Sequence, residues 1–114
     1  MHINLAVADL ERSLAFYRTW LGFGADERRF PDGTVFVQDA EKTDLAFHQG
    51  SAPAPEVPTF HFGFRRGEAS VVRELHARLL DAGVSVSEFD EEDALVSVKF
   101  ADPDGYVVEV YWEA

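Results

Sequence analysis

The chain runs through one order of elements twice, and this limits its fold more than any single motif does. His2–Val7 reads as a strand, with Ile3, Leu5 and Val7 on one side. Asp9 then offers a capping oxygen, Leu10, Leu14, Tyr17 and Leu21 recur at helical spacing, and Gly22 stops the helix. Residues 25–30 and 34–38 read as strands around the turn Pro31-Asp32-Gly33, and residues 43–48 as a further strand. After a proline-rich stretch the order returns. Residues 59–64 read as a strand. Residues 68–82 form a helix with Val72, Leu75, Leu79 and Ala82 on one face and Gly83 as its stop. Residues 84–88, 94–100 and 106–112 read as strands, the last two joined by Asp102-Pro103-Asp104-Gly105. Strand–helix–strand–strand–strand therefore occurs twice. The opening histidines, His2 and His61, are 61 − 2 = 59 residues apart, and the stops Gly22 and Gly83 are 83 − 22 = 61 apart. Residue identity between the copies is low, so the repeat is one of pattern.

Each copy predicts a βαβββ module. The expected fold class is α+β: two such modules forming a cupped mixed sheet with helices on its outer face. The expected organisation is a single domain over 1–114, with module one at 1–49, a stiff linker at 50–58 and module two at 59–114.

Three polar residues interrupt otherwise apolar strands at the same parity. Side chains alternate across a strand with period two. His2 opposes Ile3, Leu5 and Val7; His61 opposes Phe60, Phe62 and Phe64; Glu109 opposes Val108, Val110 and Trp112. If the apolar faces pack on helices, two imidazoles and one carboxylate share the other face. Two His and one carboxylate with open positions suit a divalent metal, typically non-haem iron(II). The bland alternative is three unrelated polar residues on a solvated face.

Composition removes several function classes. The formal charge of −11 lacks the basic footprint of a nucleic-acid binder. With no cysteine there are no disulfides, thiolate metal sites or cysteine nucleophiles. No apolar run approaches membrane-spanning length and no signal peptide opens the chain, so the expectation is a cytoplasmic protein without membrane contact. Neither a P-loop, a dinucleotide fingerprint nor a nucleophile elbow is present.

The stretch from His2 through Asp9, Ser13, Phe16 and Tyr17, then Leu21-Gly22-Phe23, and Asp102-Pro103-Asp104-Gly105 leading to Glu109, resembles the vicinal oxygen chelate superfamily. That group includes glyoxalase I, fosfomycin-resistance proteins, extradiol dioxygenases and bleomycin-resistance proteins. The resemblance covers essentially the whole chain and specifies the fold better than the reaction. It implies that His2, His61 and Glu109 hold one divalent ion, Fe, Mn, Ni or Zn. It also implies an enzyme acting on a small oxygen-rich substrate chelated through adjacent oxygens, as a lyase or dioxygenase. Glyoxalase I carries a further carboxylate on the fourth strand. Here the matching position is Ala46, with His48 two residues on at the same parity, so His48 is a fourth ligand, a catalytic acid or base, or neither. Related proteins commonly pair modules across a two-fold axis, which implies a homodimer, with His2 drawn from one chain and His61 and Glu109 from the other as one arrangement. The rival implication is a metal-free, bleomycin-resistance-like protein that sequesters a drug.

Other polar residues read as structural. His76 lies off the apolar stripe of its helix and reads as surface. The pair Asp102 and Asp104 reads as turn chemistry, and the acidic run over 88–93 as a solvated loop. Gln38, Lys99 and Tyr111 are candidates to project into the cup, Lys99 as a cation able to hold an oxyanion.

Overall fold

The computed structural model describes residues 2–50 and 60–114, His2 through its backbone alone. The chain divides into two compact units, Met1–Ala54 and Pro55–Ala114. Each holds one helix and one four-stranded mixed sheet, so the α+β fold with its duplicated βαβββ order is present. No helix among the described residues is long and apolar enough to cross a membrane.

Unit one consists of β1 (His2–Val7), α1 (Leu10–Leu21), β2 (Ala25–Arg29), β3 (Val35–Gln38) and β4 (Asp44–Gln49), with sheet order β1-β4-β3-β2. The Arg12 amide donates to Asp9 Oδ1 at 3.1 Å, satisfying one of the amides that a helix start leaves without a partner. Gly22 closes α1 at φ 74°, a left-handed conformation that disfavours any Cβ. The helix buries Leu14, Tyr17 and Leu21. Tyr17 meets Phe47 of β4 at a centroid distance of 5.3 Å, which fastens α1 to one face of the sheet. Leu5, Val7, Val35, Val37 and Leu45 complete that core. Each fully buried aliphatic side chain contributes roughly 1.5–3 kcal/mol relative to exposure. In β3 burial alternates, Val35 and Val37 inside and Phe36 and Gln38 half-exposed. The opposite, open face therefore carries Asn4, Phe36, Gln38, Asp44 and His48.

Unit two consists of β5 (Phe62–Arg65), α2 (Ala69–Asp81), β6 (Val86–Glu92), β7 (Leu95–Ala101) and β8 (Val107–Glu113), with sheet order β5-β8-β7-β6. Helix α2 buries Val72, Leu75 and Leu79, and the sheet adds Phe64, Val96, Val98, Phe100, Val108 and Val110. The β7–β8 link is the expected turn. Asp102 Oδ1 accepts from the amides of Asp104 and Tyr106, both at 2.9 Å, and Gly105 takes φ 89°.

Three local expectations are corrected. The strand expected over 59–64 begins only at Phe62, so Phe60 is 47% exposed rather than part of the apolar face. The acidic run expected as a loop is mostly β6. Glu88 lies opposite Lys99, and cross-strand charge pairing holds a segment whose composition alone suggests solvent. His76 is not simply surface, since its ring stacks on Phe89 at 3.9 Å and 10°. The expected linker over 50–58 lies, apart from Gly50, outside the described residues.

Candidate functional site

The open face of unit two gathers most of the expected site residues. Glu109 sits mid-strand on β8, between the buried Val108 and Val110, so its side chain must leave on the other face. His61 stands one residue before β5. Its Nε2 lies 3.4 Å from Glu109 Oε1, with the two side chains 35% and 21% exposed, both accessible to a ligand. Two donor atoms each about 2.1 Å from one ion at the tetrahedral angle lie roughly 3.4 Å apart. The spacing therefore fits a shared cation as well as it fits a direct ion pair.

Two neighbours shape this pair. Ser97 on β7, 2% exposed, donates to Glu109 Oε2 at 2.6 Å and so leaves Oε1 to face His61. Gly63 lies directly across the ladder from Glu109. A Cβ there would come within 3.3 Å of both Glu109 Cβ and Oε1, closer than carbon contacts comfortably allow. The missing side chain is room for the carboxylate. Neither residue was anticipated from sequence. A serine between two buried valines, and a glycine inside a strand, are the signals that could have pointed to them.

A charged cluster continues along the same face. Lys99, paired with Glu109 across β7 and β8, donates to Glu88 Oε2 at 2.9 Å. That bond raises the Lys99 ammonium above its usual range and lowers the Glu88 carboxyl below its own. Desolvation, then the hydrogen bond shared with Glu88, raises the Asp90 carboxyl.

In unit one, His48 Nδ1 lies 2.9 Å from Asn4 Oδ1, across the parallel β1·β4 ladder. If Nδ1 donates, the neutral ring presents Nε2 as its acceptor. Beside it Arg28 binds Asp44 Oδ1 at 2.6 Å and Gln38 donates to the same oxygen at 3.1 Å. These bonds, from Gln38 and then Arg28, hold the Asp44 carboxyl below its ordinary value. Gln38 is thus tied to its own sheet.

The ladders relate the strands of the two units residue by residue. Counting from the paired histidines, Asn4 corresponds to Gly63, since 4 + 59 = 63. Asn4 lies opposite Ala46, and Gly63 lies opposite Glu109. On that offset Ala46 stands in unit one where Glu109 stands in unit two. His48, opposite Ala6, corresponds to Tyr111, opposite Arg65.

The His2 backbone pairs with Asp44, and its side chain lies outside the described residues. Among the described residues no group of three or more His, Asp or Glu side chains is arranged to hold a metal ion. The structure brings His61 and Glu109 together, and among the described residues no third ligand joins them.

The model of the Glyoxalase/Bleomycin resistance protein/Dioxygenase superfamily matches residues 1–110. The chain belongs to that superfamily. Its members act on small molecules and commonly bind a divalent metal. No curated protein shows a significant sequence match to the chain. Among solved structures, an integron cassette protein from the mobile metagenome of a Halifax Harbour sewage outfall is similar at 27% identity and a TM-score of 0.77, covering 98% of this chain and 96% of that one. A lactoylglutathione lyase from Agrobacterium tumefaciens is similar at 25% identity and a TM-score of 0.74, with coverages of 98% and 91%. A genomically encoded fosfomycin resistance protein from Listeria monocytogenes shares the superfamily fold at a TM-score of 0.82 and 21% identity, with coverages of 100% and 92%.

Proposed function

We propose that this superfamily member is a metal-dependent enzyme acting on a small oxygen-rich substrate, its two units working as one domain. His61 and Glu109 would hold the divalent ion together with His2. The observation that carries the reading is the 3.4 Å approach of His61 Nε2 to Glu109 Oε1. The Ser97 hydrogen bond and the space at Gly63 support it, because both preserve one orientation of the carboxylate. When bound, the metal would supply Lewis-acid stabilisation of developing negative charge or, as iron, activation of dioxygen.

The remaining chemistry belongs to the chain's own residues. His48, exposed and tied through Nδ1 to Asn4, would take and return a proton at Nε2. Lys99, held by Glu88, would keep a positive charge beside Glu109 and attract an oxyanion.

The test is metal titration of protein prepared without a histidine tag. The expectation is about one Mn, Ni or Zn ion per chain, with affinity falling in acid because imidazole must be neutral to coordinate. His61→Ala and Glu109→Ala should each lower affinity by about a hundredfold or more, and His76→Ala should leave it unchanged. Equal affinity in all four proteins would remove the reading in favour of metal-free drug binding. A homodimer with shared sites belongs to the same proposal. Mixing His2→Ala with Glu109→Ala protein should restore metal binding if ligands come from two chains, and should restore none if each chain is self-contained.

A further inference from the structure

We propose that the open face of unit one carries a binding pocket for a small aromatic compound bearing a positive charge, of the arylalkyl-ammonium class. The inference stands on unit one alone and does not depend on the metal. The pocket has a volume of about 630 Å³ and is lined by Asn4, Phe30, Pro31, Asp32, Thr34 and Phe36. That volume suits a small ligand.

The aromatic part follows from Phe30 and Phe36. Their rings meet edge to face at a centroid distance of 5.5 Å and an angle of 74°. Phe30 is nevertheless 47% exposed, so apolar ring surface still faces water. A third ring laid against it would recover part of that burial.

The charge follows from Asp32, which carries the single formal charge among the six lining residues. Its Oδ1 accepts the Thr34 amide at 2.9 Å, and this bond first of all holds its carboxyl below the ordinary range. Asp32 is therefore ionised at neutral pH. Thr34, through its amide and its side chain, and the residue's own amide take up part of the carboxylate's roughly four acceptor sites and leave the remainder for a ligand. The Phe36 ring already lies against a cation, with the Arg28 guanidinium carbon 5.2 Å from its centroid. That guanidinium is bound by Asp44 and Asp26, so its charge does not oppose a cationic ligand in full. The formal charge of −11 raises the local concentration of cations further.

The experiment titrates metal-free protein with 2-phenylethylammonium and, separately, with 3-phenylpropionate, followed by calorimetry and amide chemical shifts. The ammonium should bind about two- to fivefold more tightly than the carboxylate, a difference expected of one solvent-exposed charge contact. Shifts should concentrate at residues 30–36 and Asn4. Asp32→Asn keeps the oxygen that accepts the Thr34 amide and so preserves the turn. It and Phe30→Ala should each weaken ammonium binding by about two- to fivefold. Leu80→Ala, which trims a still more exposed apolar side chain on α2, should not. Phe36→Leu keeps an apolar residue in β3 and should also weaken binding, which covers the case of a poorly folded Phe30 variant. The proposal is overturned by no binding at millimolar probe, by equal binding of the two probes, or by Asp32→Asn and Phe36→Leu binding as the unaltered protein does.

Discussion

The Ser97 hydroxyl, 2.6 Å from Glu109 Oε2, determines which carboxylate oxygen faces His61. The hydroxyl is bound to Glu109, and the serine acts through that side chain. Ser97→Ala should weaken metal binding by about ten- to a hundredfold, the range for residues that orient metal ligands. It should cost less than Glu109→Ala. Ser97→Thr, which restores a hydroxyl, should recover part of the affinity. Metal titration of the three variants checks the order.

Gly63→Ala separates function from stability. The added Cβ would lie 3.3 Å from Glu109 Oε1, so the carboxylate must shift by a few tenths of an ångström or turn away from His61. Alanine loses less conformational entropy than glycine on entering a strand, which offsets the strain of a Cβ also 3.3 Å from Glu109 Cβ, so the fold should keep nearly its full stability. The expected outcome is a thermal midpoint close to that of the unaltered protein, with metal affinity reduced about tenfold or more. A lowered midpoint with intact metal affinity would contradict it.

Asp90 gives a pH dependence with a definite sign. Its folded carboxyl is raised, first by desolvation and then by the bond to Glu88. Below the unfolded value of about 3.9 both states hold the proton and nothing is lost. As pH rises through the raised folded value, the native state must ionise a carboxyl beside another, and stability falls. Asp90→Asn should therefore raise the thermal midpoint at pH 7, and the gain should vanish below about pH 3.9. Melting curves at pH 3 and pH 7 test this.

The cap on α1 predicts a simple cost. Asp9→Ala removes the acceptor of the Arg12 amide and should destabilise unit one by about 1 kcal/mol. Asp9→Ser should recover most of the loss. Urea denaturation of both variants measures it.

Much of this architecture was legible because each element has its own period. Leu14, Tyr17 and Leu21 gave α1, bounded by Asp9 and Gly22, and Val72, Leu75 and Leu79 gave α2. The pairing of His61 with Glu109 was legible for the same reason, since parity alone places both opposite an apolar face. The start of β5 was not. Phe60 continues the alternation perfectly, but alternation cannot say where the ladder to β8 begins, and pairing starts at Phe62. Strand β6 was hidden because two of its acidic side chains find cations on other elements, Glu88 at Lys99 of β7 and Glu91 at Arg73 of α2. Ser97 and Gly63 carry no ligand chemistry of their own, and their importance is a distance to Glu109 that only the folded ladder creates. The register that puts Ala46 opposite Asn4 and His48 opposite Ala6 is likewise a property of the folded ladder.

The parallel ladders β1·β4 and β5·β8 also order events in time. Within each unit they join the first strand to the last, enclosing the helix and two other strands, whereas β3·β4, β6·β7 and β7·β8 link sequence neighbours. Closing a longer loop costs more entropy, and distant pairings form late. Each meander should therefore assemble first, and the strand beside each opening histidine should be laid down last. Val98→Ala, within a meander, should chiefly slow refolding. Leu5→Ala and Phe64→Ala, on the closing strands, should chiefly speed unfolding. The pair formed by His61 and Glu109 would then come into being only in the final step, so a chain stalled before it would be largely built and chemically blank.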